Sequence, residues 1–363
     1  MNPNLKSPVK PLIRLHLLFA LLVNLVVLQP AKAGNYTFSV KGPEVLINKN
    51  SFKVIGLRTS NALISDDTAN QLIQNLDIFK SYGVNTVSVF VMGSHFGNVK
   101  GYKPDASMDP VYAARLGKII EAADQRGMIV LVGCLYFGHS ESYADLKAWT
   151  QEDANKAVAN TVAWLGKNNY RNVFVDVDNE GMAHASRKWE VSKMIDAAHA
   201  VDPTFMVANN CPGPIPDNAD LLVHYSFKDK DNHRPWIQSE GVPDAPGYKA
   251  GYWGEYSLGK AKNYIRIGRY TAEMKKDSLE LTFKAIEKNA GYMLASTWLQ
   301  CVATEGAGGP HMTPGGLAEN PNVDESVLEV QKDAGILWWL QAVKEKYGPW
   351  NPPVLSPRAP GKI

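Results

Sequence analysis

Short runs of valine, isoleucine and leucine recur along this chain. Most are followed by a polar loop and then by a stretch with apolar residues every three or four positions. The first run is 52–57 (FKVIGL). After it, Leu72, Ile73, Leu76 and Phe79 fall at helical spacing within 67–82, and Gly83 supplies a stop. The pattern repeats with runs at 85–91 (NTVSVFV), 128–135 (MIVLVGCL) and 172–177, each followed by a helical stretch, at 110–126, 152–166 and 186–200. Runs five, six and seven, at 205–208, 221–223 and 236–239, come in closer succession. A helix over 276–290, an eighth run at 292–296 and a last helix over 334–347 complete the series.

Strands alternating with helices predict a parallel sheet. With eight strands, the natural solution is closure into a single (β/α)8 TIM barrel, an α/β fold. The segment NNCPGPIPDNAD between strands five and six cannot hold a normal crossover helix, nor can the short polar stretch between six and seven. Short or missing outer helices are therefore expected there. No internal repeat or linker divides the chain, so 34–347 reads as one domain. Residues 348–363 form a proline-rich tail, expected to lie on the surface without regular structure.

The N-terminus changes the picture of the whole. Lys6, Lys10 and Arg14 precede a mostly apolar run, LHLLFALLVNLVVL, and Ala31-Lys32-Ala33 forms an A-x-A cleavage pattern. Residues 1–33 are expected to be a secretory signal peptide, and the protein secreted or periplasmic. Their removal takes four cations and no acid, so the net charge of +2 becomes −2. Such a chain has no electrostatic case for nucleic acid, and none for a membrane surface once the signal is cleaved. Cys134, Cys211 and Cys301 are odd in number and widely spaced. They give neither a disulfide framework nor a metal pattern, and buried thiols are expected, with one bridge between two of them the other state open. No motif for a bound cofactor appears.

In a barrel of this kind the residues just past each strand line the functional face. Those positions hold Arg58, Ser60 and Asn61; Ser94, His95 and Phe96; Tyr136, Phe137 and His139; Asp178, Asn179 and Glu180; Asn209, Asn210 and Cys211; His224, Tyr225 and Phe227; Glu240; and Thr297, Trp298 and Gln300. The fourth strand, VFVDVDNEGM, is apolar nearly to its end and then presents a carboxylate that a turn does not need. Glu180 after strand four and Glu240 after strand seven would face each other across the mouth. Two converging carboxyl groups suit glycoside cleavage, one attacking the anomeric carbon and the other, protonated, donating to the leaving oxygen. A separation of about 5–5.5 Å serves retention of configuration and about 6.5–9.5 Å inversion.

The order Asn-Glu at strand four, His-Tyr at strand six, Glu-Gly at strand seven and Trp at strand eight resembles the retaining TIM-barrel glycoside hydrolases of the cellulase and mannanase clan. The opening YTFSVKGPEVLINKNSFKVIGLRTS resembles the N-terminal hairpin of such enzymes. The resemblance implies a β-linked oligo- or polysaccharide substrate, Glu180 as acid/base and Glu240 as nucleophile. It also implies Asn179 on the sugar 2-hydroxyl and Trp298 as the platform under the sugar, with His224, Tyr225 and His139 near the substrate. Two departures stand out. The family's arginine in strand two is missing, and Arg58 after strand one is the expected substitute as the cation that lowers the nucleophile's pKa. The usual His-x-Tyr of strand six is here His224-Tyr225-Ser226, and adjacent strand residues point to opposite faces. Glu255, in the aromatic stretch AGYWGEYS, is a rival nucleophile. Two other readings stay open: a barrel that binds glycan without cleaving it, and a metal-dependent hydrolase using His139, His184 and His224.

Overall fold

The computed structural model describes residues 36–59, 62–92, 99–136, 148–181, 187–211, 214–223, 233–239, 272–295 and 336–353. All of them fall within one compact unit, Ala33–Ile363. The chain opens with three short strands, β1 (Phe38–Lys41), β2 (Glu44–Ile47) and β3 (Asn50–Phe52), paired antiparallel in sequence order. Asn48 and Lys49, at φ 50° and 69°, make the tight turn between β2 and β3. Two consecutive left-handed residues match the right-handed twist of a hairpin.

Eight parallel strands follow: β4 (Val54–Arg58), β5 (Thr86–Phe90), β6 (Ile129–Leu135), β7 (Val173–Asp178), β8 (Met206–Asn209), β9 (Leu221–Val223), β10 (Trp236–Ser239) and β11 (Gly291–Leu294). They close into a barrel in sequence order, with β11 pairing back onto β4. Six helices are described: α1 (Asp66–Ser81), α2 (Pro110–Asp124), α3 (Gln151–Lys167), α4 (Val191–Val201), α5 (Ala272–Lys288) and α6 (Leu337–Tyr347). The closed barrel is the TIM barrel expected from the pattern of runs. Among the described residues between β8 and β9, and between β9 and β10, no helix appears.

The strands read as unbroken apolar runs because both faces are buried. Alternate residues separate into two cores. Ile55, Leu57, Val87, Val89, Val130, Val132, Val173, Val175 and Val177 pack outward against helix residues such as Leu72, Leu76, Ile119, Val158, Ile195 and Trp339. Val54, Ile129, Leu131, Phe174, Met206, Leu221, Ile237 and Met293 fill the barrel, and Tyr36, Val45, Ile47 and Phe52 join them. The Phe38 ring meets the Phe174 ring edge-on at 4.8 Å. The N-terminal sheet thus stops the barrel at the end where the strands begin, leaving the opposite end for chemistry.

Helix α4 begins later than the apolar spacing suggests. Lys188, at φ 60°, interrupts any helix running into α4, and Glu190 stands at its N-cap instead. At the C-terminus, residues 348–353 are irregular. Trp350 packs against Phe52, with ring centroids 5.8 Å apart, and donates its indole N–H to the carbonyl of Gly127 at 2.9 Å. Cys134 and Cys211 are free buried thiols, so no bridge joins them. Cys301 lies outside the described residues.

Candidate active site

The inward-facing positions change character toward the strand ends. Above the apolar plug stand Arg58, Ser88, Asp176, Asp178, Asn179, Asn210 and Ser239, all buried. Buried polar groups need partners, and Arg58, Asp176, Asp178, Asn179, Asn210 and Ser239 find them in one another. Arg58, at the end of β4, spans the mouth. Its Nη2 donates to Asn179 Oδ1 at 2.6 Å and its Nη1 to Ser239 Oγ at 3.3 Å. One guanidinium therefore ties the ends of β4, β7 and β10 together. Its carbon lies 5.4 Å from the centre of the Phe90 ring. That ring has room because β6 carries Gly133 opposite, where an added Cβ would come within 2.1 Å of the ring.

Behind Arg58 lies Asp176. Its Oδ2 accepts from Asn210 Nδ2 at 2.6 Å, and its Oδ1 accepts from the Asp178 N–H at 3.3 Å. Burial pushes the Asp176 carboxyl up to about 6, against the Asn210 hydrogen bond and the Arg58 charge, which both pull it down. The same Asn210 Nδ2 also donates to Asn179 Oδ1 at 3.1 Å.

The stretch Asn179–Gly181 forms a single 3-10 turn past β7. Glu180 is held at φ 53°, ψ 18°, and Gly181 at φ 65°. A left-handed glutamate costs energy, of order 1–3 kcal/mol, and such positions cluster at functional sites. A glycine next to it relieves a second cost, since a Cβ on Gly181 would meet Cys211 at 3.2 Å. The turn brings Asn179 under the mouth and leaves Glu180 half-buried, with Asn179 Nδ2 donating to Glu180 Oε1 at 3.2 Å.

Of the residues expected from sequence, the structure joins Arg58, Asn179 and Glu180 in one network. Glu240, His224, Tyr225, Trp298 and His139 lie outside the described residues, as do Glu255 and His184. Ser239, which immediately precedes Glu240, is in contact with Arg58. Sequence reasoning missed Asp176 as a site residue and gave Asn210 no role. A signal was present: in VFVDVD, Asp176 shares the inward parity of Phe174 and Asp178.

The sequence model of the family Cellulase (glycosyl hydrolase family 5) matches residues 45–211, from the N-terminal sheet through Cys211. The chain is a cellulase-like TIM-barrel glycoside hydrolase. The match takes in Arg58, Asp176, Asn179, Glu180 and Asn210. The hydrolase also resembles solved structures in fold. A family 5 glycoside hydrolase from Bacteroides vulgatus is 14% identical, with a TM-score of 0.53, covering 79% of this chain and 67% of that one. A family 5 mannosidase from Rhizomucor miehei is 8% identical with the same TM-score, covering 86% of this chain and 98% of that one. No curated protein matches the sequence.

Proposed function

We propose that this hydrolase is exported and cleaves β-linked oligo- or polysaccharide with retention of configuration. Glu180 acts as acid/base and Glu240 as nucleophile. The observation that carries this reading is the Arg58 guanidinium, bonded at once to Asn179 beside Glu180 and to Ser239 beside Glu240.

In the first step Glu240 attacks the anomeric carbon while Glu180 gives its proton to the departing oxygen. In the second, Glu180 takes a proton from water, and that water releases the sugar from Glu240. The nucleophile must be ionised and the acid protonated at one pH. Arg58 supplies the cation that favours an ionised Glu240. Asn179, beside the acid, is the donor to the sugar 2-hydroxyl, an interaction that strengthens in the transition state. Trp298 offers the aromatic face on which a sugar ring stacks.

The experiment is a screen of the protein against β-1,4-glucan, β-1,4-mannan and β-1,3-glucan, with the anomeric products followed by proton NMR as they form. Turnover with the β-anomer appearing first is expected. An initial α-anomer means inversion and removes the nucleophile role of Glu240. Export is tested separately: mass spectrometry of the secreted protein should find an N-terminus at Gly34, and a chain beginning upstream contradicts it.

A further inference from the structure

The amide of Asn210 has only one orientation open to it. Its Nδ2 donates to both Asp176 Oδ2 and Asn179 Oδ1, so turning it over would set its oxygen against two acceptors. Asn179 is fixed by the same logic. Its Oδ1 receives Arg58 Nη2 and Asn210 Nδ2, and a guanidinium has only donors to offer. Asn179 must therefore turn its Nδ2 outward, where it donates to Glu180 Oε1. Both asparagines are fully buried. The direction of this chain of hydrogen bonds is set from two sides, by the Arg58 donor at Asn179 and, at its inner end, by Asp176, which lies below the strand end.

We propose that Asp176 is a positioning residue for the glycosidase reaction: through Asn210 it orients the Asn179 amide, and with it the donor presented to Glu180 and the sugar. This rests on Glu180 being the acid/base. The burial that raises the Asp176 carboxyl to about 6 is a cost that an apolar residue of the same size would avoid. A buried carboxylate in the middle of an apolar strand makes sense if its acceptor oxygens have a task.

The test is a double-mutant cycle, read as kcat and KM on the polysaccharide of the above screen that the wild type cuts fastest. Asp176→Leu should lower kcat about 10- to 100-fold with KM changed less than about twofold. In an Asn179→Ala background, where the relay has lost its output, the same substitution should cost less than about twofold. Asp176→Asn, whose Oδ1 still accepts from Asn210, should recover to within about threefold of wild type. Asn210→Leu should match Asp176→Leu, and it decides the cycle alone if Asp176→Leu shows no cooperative melt. Equal losses in both backgrounds, or no loss in either single variant, overturn the relay. Glu180→Gln is measured alongside. If it keeps near-wild-type activity, the acid/base reading fails and the relay with it. If it is inactive while the losses are equal in both backgrounds, only the relay fails.

Discussion

Arg58 carries much of the site's geometry, and its shape matters as much as its charge. A guanidinium is a planar fork of donors, whereas an ammonium is a single point. Arg58→Lys keeps the cation but cannot hold Asn179 and Ser239 together. It is expected to lower kcat by about 10-fold or more, and Arg58→Ala by more still, both measured by initial rates. Asp176 adds a signature in stability. Its carboxyl titrates near 3.8 when unfolded and at about 6 in the folded protein. Between those values the folded state holds the extra proton, so the stability tied to this group is full below about 3.8 and is lost as pH rises through about 6. Arg58, Asp178 and Cys211 face it, and all three remain in an Asp176→Asn variant. The stability of wild type minus Asp176→Asn, from urea unfolding, should therefore fall by about 2 kcal/mol from pH 4 to pH 7. A flat difference contradicts it.

At the scale of elements, the site depends on what lies beneath it. The Phe90 ring from β5 packs over Gly133 of β6 and under Arg58. Gly133→Ala would push that ring toward the guanidinium. Overpacking of this kind costs about 1–3 kcal/mol, so a lower melting temperature is expected together with reduced kcat. An unchanged kcat would mean that Arg58 does not depend on this stack. The elements themselves were largely legible. Each of the eight barrel strands lies within two residues of its apolar run, because a parallel strand buried on both faces must be apolar throughout. Helix α4 was less legible: its spacing continues the helical pattern back to 186, and nothing in the residue types announces the left-handed Lys188.

For the whole molecule, the order of strands and the placing of Glu180 past the fourth could be read from sequence. The network around it could not be read in the same way. Arg58 meets Asn179 across 121 residues and Ser239 across 181. Such pairs depend on which strand faces which across a closed barrel, and on inward parity, neither of which a local pattern states. Asp176 shows the limit: its type was visible, but its partner Asn210 sits just past the end of the next strand, β8. Closure of the barrel brings Asn179, beside Glu180, and Ser239, the residue before Glu240, to one guanidinium, that of Arg58. The most direct measurement is covalent trapping. The protein is incubated with a 2-deoxy-2-fluoro glycoside bearing a good leaving group, matched to the sugar it cuts, and the labelled peptide is sequenced by mass spectrometry. The label is expected on Glu240. A label on Glu255, or on Glu180, would contradict the division of roles proposed here.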